Sequence, residues 1–211
     1  PYRRIFLSIG ERLSATSQQL GHILTQQNAA EFSKPYKNSA EFVHDLDIII
    51  HSLIQHKSHW VARGALRNLR RAVDVFGFYL APLDMRQHSK IHEQVVAELF
   101  ERNLHQAGYL QLDEAERIKR SPSAPARHST SPVQTSFADF SEMAQSEMRI
   151  LQCAAEIHHR FGLAAMPNYI ISMTTGIINI LEVALMLQEV GLLQTGRDPQ
   201  LHLNIIPLFE T

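Results

Sequence analysis

Three apolar runs, at 78–83, 169–171 and 204–208, are separated by long stretches whose apolar residues recur at helical spacing. Strands joined across such distances cannot pair as hairpins. Helical segments between them argue for crossover connections, which lay the strands parallel and put the helices on the outside. The order strand–helix, strand–helix, strand therefore predicts a mostly α-helical chain with a few parallel strands in a barrel-like sheet wrapped by helices, and extra helices in front. The first strand is expected over 78–83, ending in Asp84, Met85, Arg86 and Gln87. The second is "PNYIISMT", opened by Pro167 and ending in Ser172, Met173 and Thr174. The third is "LNIIPLFE", closing on Phe209, Glu210 and Thr211. No internal repeat is found.

The helical segments follow from periodicity and breakers. Residues 2–27 read as a long amphipathic helix, broken by "NAAEFSKPYKNS" with its Pro35. Ser39 is expected to cap a second helix with Phe42, Val43, Leu46, Ile49, Ile50 and Leu53 on one side. A third runs from about 61 to 75. Further helices are expected near 89–105, 113–120 and 138–161, the last stopped by Gly162, and from Gly176 to Gly191. The polar turn "QTGRDPQ" leads into the last strand. The stretch 119–136, rich in proline and serine, reads as a mobile connection. The organisation is thus a helical region over 1–76 and a partial α/β barrel over 77–211.

Composition narrows the class. With 45% apolar and 19% charged residues among 211, the chain is an ordinary globular protein able to bury a core. Lys and Arg number 20 against 21 acidic residues, so net charge points to neither nucleic acid nor a membrane. No signal peptide or membrane-length apolar stretch is present, and the single cysteine, Cys153, fits a reducing cytoplasm. Its setting, "RILQCAAEI", predicts a small buried core residue rather than a nucleophile. Pro1 sits directly in a helical pattern and Thr211 directly after an apolar run, so both ends look cut.

In a parallel sheet the three strand ends lie on one face, where functional groups collect. Arg86 offers a rigid fork for phosphate or carboxylate, and Glu210 a hard oxygen for a magnesium-type cation. From the residues alone, Arg86 could equally pair with Asp84 or with a neighbouring helix. His88 and His92 lie one helical turn apart beside Glu93, a possible metal geometry, but among 12 histidines such pairs arise by chance and no cysteine cluster supports a zinc site. Arg63, Arg67, Arg70 and Arg71 form a basic stripe, read as a solvated face pairing with acidic neighbours rather than as a phosphate-binding surface.

Longer motifs add a family resemblance. "FGFYLAPLDMRQHSKIHEQVVAEL" resembles the phosphoenolpyruvate carboxylase segment FGF-L-x-LD-RQ-S-x-HE-VVAEL. "PNYIISMT" followed by "ILEVALMLQEVGLL" is similar to that family's YIISMT and LEV-LL-EAGLL segments, and "NIIPLFET" to its I-PLFET motif. "PYRRIFLSIGERL" and "LRNLRRAVDVFGF" fit as well, so the resemblance covers nearly the whole chain in one order. It implies a segment of a bacterial-type enzyme with a mostly helical, TIM-like α/β barrel, usually a homotetramer. Such an enzyme carboxylates phosphoenolpyruvate with bicarbonate to oxaloacetate and phosphate, feeding the tricarboxylic acid cycle, and uses Mg2+ or Mn2+ and no biotin. Bicarbonate attacks phosphorus, giving carboxyphosphate and an enolate. Arg86 falls on the motif arginine that contacts phosphoenolpyruvate, with Gln87 beside it, and Glu210 falls on the metal-ligating glutamate.

The family's TxHPT-type histidine motif, SDSxKD-type segment and GRGG-type loop do not occur in these residues, and Ile178 and Asn179 stand where Ser-Asp is common. The expectation is an excised middle piece, inactive alone, whose unpaired sheet edges invite self-association. The competing readings are a non-catalytic helical interaction module derived from the family and, with less support, a nucleic-acid binder using the arginine stripe.

Overall fold

The computed structural model describes residues 2–25, 34–121 and 137–210. The chain forms two compact units, residues 1–81 and 82–211.

The first unit is helical. It comprises α1 (Tyr2–Thr25), α2 (Ser39–Gln55), α3 (His59–Arg63) and α4 (Ala65–Phe76). Its core is Ile9, Tyr36, Phe42, Leu46, Ile49 and Val73, with Phe78 packed against it. Arg12 ties α1 to α2: its guanidinium bonds Glu41 at 2.7 Å and Asp45 at 3.0 Å and lies 3.7 Å from the centre of the Tyr36 ring. Two details differ from the sequence expectation. Asn38, not Ser39, caps α2, its Oδ1 accepting from the Glu41 amide at 3.1 Å. The expected single helix over 61–75 is two helices broken at Gly64. Of the arginine stripe, Arg70 pairs with Asp47 and Asp74, as a solvated face would, and Arg63, Arg67 and Arg71 are exposed.

The second unit holds a parallel three-stranded sheet in the order β1 (Asp84–His88), β2 (Asn168–Ser172) and a last strand, Asn204–Pro207. Between β1 and β2 run α5 (Ser89–Leu104), α6 (Glu114–Arg120) and α7 (Glu142–Phe161). After β2 come α8 (Ile177–Glu189) and a small antiparallel hairpin, β3 (Leu193–Gln194) with β4 (Gln200–Leu201); the last sheet strand is β5. The mostly helical class with a few parallel strands is thus observed. Residues 122–136, the greater part of the expected connection, lie outside the described residues.

The first strand is not where its apolar run predicted. Residues 78–81 are turns and bends, 82–83 have no regular structure, and β1 is the polar segment Asp84–His88. Pro82 lacks an amide to give to a ladder, Gly77 and Leu80 have φ of +53° and +66°, and Leu80 and Leu83 are exposed. The parallel ladder to β2 therefore defines the strand. Its register is Met85 to Tyr169, Arg86 to Ile170 and Gln87 to Ile171, and β2 meets β5 as Tyr169 to Ile205 and Ile170 to Ile206.

That register sorts side chains by face. Met85, Tyr169 and Ile171 enter the helical core with Val95, Val96, Leu99, Phe100, Met148, Leu151, Val183, Met186 and Leu187. The opposite face carries Asp84, Arg86, Asn168, Ile170, Ser172, Asn204 and Ile206. Its first row is a hydrogen-bonded ladder: Asn204 Nδ2 donates to Asn168 Oδ1 at 3.0 Å, and Asn168 Nδ2 to Asp84 Oδ1 at 2.8 Å.

The helices follow from caps and apolar stripes. α5 buries His92, Val95, Val96, Leu99 and Phe100, and the His88 Nδ1 at its start accepts from the Lys90 amide. α6 opens with a capping box between Asp113 and Glu116. α7 begins only at Glu142 because Ser141 caps it, and Gly162, with φ +89° and ψ 164°, ends it in a conformation open to glycine alone. Cys153 is exposed, not buried. The inward stripe of α7 runs through Ala144, Met148, Leu151, Ala154 and His158 and leaves residue 153 on the outer side.

Beneath α8 lies a buried carboxyl. Glu182 accepts from the Tyr109 hydroxyl at 3.0 Å and from Asn179 Nδ2 at 3.3 Å, with Arg117 4.0 Å away and itself paired to Glu93. Asn179, one of the two residues departing from the family pattern, also accepts from the Thr175 amide and hydroxyl at the start of α8. Burial raises the Glu182 carboxyl from 4.5 to about 7. The folded chain therefore holds a proton there that the unfolded chain releases, so this contribution to stability is full below about pH 4.5 and is lost as pH rises to about 7. Glu182→Gln is expected to match the parent chain near the acid end and to exceed it by up to roughly 3 kcal/mol above neutrality, read from denaturant midpoints across pH. A difference that stays constant with pH would contradict the assignment.

Candidate functional site

The carboxyl ends of the three strands meet in one small polar cluster. Arg86 projects from β1 on the face away from the helices and reaches along the sheet to the end of β2, where its Nε donates to Ser172 Oγ at 2.6 Å. Its Nη2 lies 3.4 Å from Glu210 Oε1, just beyond β5. The same Glu210 oxygen accepts from the Met173 amide at 3.3 Å. Both ionised side chains remain half exposed, so the pair is weak in itself, of the order of 0–1 kcal/mol.

The turn after β2 is built to aim that amide. Met173 adopts φ +57°, the left-handed region that non-glycine residues seldom enter. The Ser89 hydroxyl at the head of α5 donates to the Met173 carbonyl at 2.7 Å, and the Thr174 amide to the Leu208 carbonyl at 2.9 Å. Backbone strain held by neighbours in this way gathers at functional sites.

Gln87 turns the other way. Its Nε2 donates to Glu147 Oε1 on α7 at 2.8 Å, and its Oε1 accepts from the His88 amide at 2.8 Å. Partial burial raises the Glu147 carboxyl and the Gln87 bond lowers it, burial being the larger influence. Asp84, an alternative partner for Arg86 by sequence, bonds Asn168 instead. The structure thus brings Arg86 and Glu210 together and places Gln87 on the helical side.

The histidine pair does not form a metal site. His88 caps α5, while His92 is fully buried with its Nε2 2.9 Å from the Tyr169 hydroxyl. Burial, helped by His88, lowers His92 to about 4, which keeps it neutral. Among the described residues no three His, Cys, Asp or Glu side chains are grouped to hold a metal ion. Glu210 is a single hard oxygen donor; within the described residues it can furnish part of a cation's shell and no more. Ser172, Met173 and Glu147 had no assigned role from sequence. Ser172 shares the two-residue alternation of Asn168 and Ile170, which signals its face only once the register with Arg86 is known.

A helix-backed parallel sheet whose strand ends carry a guanidinium beside a carboxylate places this molecule among the α/β proteins. Residues 1–211 match the family model described as phosphoenolpyruvate carboxylase. The chain is 61% identical over 215 residues to the phosphoenolpyruvate carboxylase of Nitrosomonas europaea, 56% over 212 residues to that of Nitrosomonas eutropha, and 43% over 212 residues to that of Rhodopseudomonas palustris. Each comparison covers the whole chain and 22% of the relative. The chain belongs to the phosphoenolpyruvate carboxylase family, and it spans about a fifth of the length of the curated relatives it matches.

Removing the Gln87 amide has a signed consequence. Gln87→Met should raise the Glu147 carboxyl further, because burial stays and the opposing hydrogen bond goes. Carboxyl carbon shifts followed through a pH titration measure this; a Glu147 titration moved downward would contradict the assignment.

Proposed function

We propose that this chain supplies one sector of the active-site rim of a phosphoenolpyruvate carboxylase, which joins phosphoenolpyruvate and bicarbonate to give oxaloacetate and phosphate. The observation that carries this reading is the meeting of Arg86 and Glu210 at the carboxyl ends of three parallel strands. Arg86 is the anion contact. Its planar fork suits a phosphate or carboxylate, and two of its nitrogens already have acceptors that fix its plane. Gln87 can join it as a substrate contact only by giving up its bond to Glu147, so Arg86 is the primary group.

Glu210 is the candidate ligand for Mg2+ or Mn2+, with the rest of the shell drawn from the remainder of the enzyme. Such a cation, when bound, offsets negative charge that accumulates on the phosphorylated substrate as it reacts. The role of Glu210 is to hold one oxygen at the rim; that of Arg86 is to hold the anion beside it. Biotin has no part in this reading, and the cytoplasm is the proposed compartment. No helix among the described residues is long and apolar enough to cross a membrane.

The sheet is proposed to be three neighbouring staves of a larger barrel. In support, β1 and β5 are edges with no further partner among the described residues, and the face bearing Ile170 and Ile206 is only partly covered. A three-stranded sheet cannot close a barrel. Exposed parallel edges also favour association of the isolated chain, whereas the whole enzyme is proposed to be a homotetramer.

In the full-length protein, Arg86→Ala should lower kcat/KM for phosphoenolpyruvate by about 10²–10³, and Glu210→Gln should weaken Mn2+ binding measured directly by electron paramagnetic resonance. The 211-residue chain alone should form no oxaloacetate above background. Turnover by that chain, or an Arg86→Ala enzyme with unchanged kcat/KM, would overturn the proposal.

A further inference from the structure

Resting on the assignment of Arg86 as the anion contact, we infer that Ser172 is its positioning residue: the hydroxyl at the end of β2 sets the direction in which the guanidinium meets the substrate. The argument starts from freedom. An arginine side chain that is half exposed at a strand end samples many rotamers, and each must be given up when an anion binds. Ser172 is itself buried and comes from a neighbouring strand, so its hydroxyl is a fixed point. It accepts from Nε at 2.6 Å, the shortest hydrogen bond made by Arg86.

Which nitrogen is used matters. Nε is the innermost donor of the fork. Holding it fixes the guanidinium plane yet leaves the outer Nη atoms for ligands. One of these already points to Glu210. The register explains how the two residues meet: Arg86 lies level with Ile170, and Ser172 stands on the same face two residues further along β2, towards the rim. Arg86 therefore leans towards the strand ends, where a substrate would lie, instead of across the sheet.

The next residue completes the arrangement. The Met173 amide, held in its left-handed turn by the Ser89 hydroxyl, donates to the Glu210 oxygen that Arg86 also approaches. Two consecutive residues of one strand end thus hold the guanidinium by a side chain and the carboxylate by a main-chain amide. The amide survives any substitution at 173 other than proline, whereas the hydroxyl is contributed by the Ser172 side chain alone. Ser172 is therefore the position at which the device can be tested.

The test uses the full-length enzyme. Ser172→Ala should raise KM for phosphoenolpyruvate about five- to tenfold with kcat changed less than about twofold, the loss expected for one hydrogen bond of ordinary net strength at a half-exposed group. Ser172→Thr, which keeps the hydroxyl, should restore KM. Ser172→Cys, close in volume but a poor acceptor, should behave as Ser172→Ala; it carries the comparison if the alanine variant does not fold. In an Arg86→Lys background, which has no Nε donor of this geometry, Ser172→Ala should have almost no further effect. A wild-type KM in both Ser172→Ala and Ser172→Cys, or an undiminished loss in the Arg86→Lys background, overturns the positioning role. An Arg86→Lys enzyme with wild-type KM instead overturns the assignment of Arg86 itself, whatever Ser172 does.

Discussion

The register of three parallel strands is the constraint on which the rest depends. With Arg86 level with Ile170, every second residue of the sheet enters the helical core and the intervening ones form an outer face. A slip of β1 by one residue would drive Arg86 into the packing of Val95, Met148 and Met186 and turn Met85 outward. The outer face defends the register with the ladder Asn204–Asn168–Asp84, each amide spending a donor on the next strand. At the other end, Ser172 and the Met173 amide gather Arg86 and Glu210. One end of the sheet fixes alignment and the opposite end presents charge.

The helices support this from behind with buried and partly buried polar groups as well as apolar ones. His92 meets the Tyr169 hydroxyl, Glu182 meets Tyr109, and Gln87 meets Glu147. Each of these joins separate segments, and each loses much of its value if either partner shifts, since an unpaired buried polar group costs about 1–3 kcal/mol. Such contacts are expected to specify one packing of α5, α7 and α8 on the sheet. Arg117 extends the same logic to α6 by pairing with Glu93 beside Glu182.

Much of this was legible in the residues, and the failures have physical causes. Periodicity located α1, α2, α5 and α7, and an apolar run bounded by Gly176 and Gly191 located α8. The strand β2 was found because it is central and its three middle residues, Tyr169, Ile170 and Ile171, form an unbroken apolar run. The strand β1 was displaced because an edge strand with one exposed face looks polar, while the apolar run before it serves as a link whose Phe78 packs with the first unit's helices. Cys153 was misjudged because the nearby Leu151 and Ala154, not the residue itself, belong to the inward stripe. Arg86 and Glu210 were visible as strand-end charges. Their support was not, because Ser172 becomes a partner only when two distant segments are aligned, and the Met173 amide only when the backbone turns left-handed.

The central claim is the alignment that carries Arg86 to the rim. Overhauser contacts between backbone amide and α protons across the sheet test it most directly. The account requires cross-strand contacts in the frame that sets Arg86 beside Ile170 and Ile170 beside Ile206, with the Arg86 Nε proton close to the β protons of Ser172. Contacts in a frame displaced by one residue, or an Arg86 Nε proton near the methyl groups of the helical core, would contradict it.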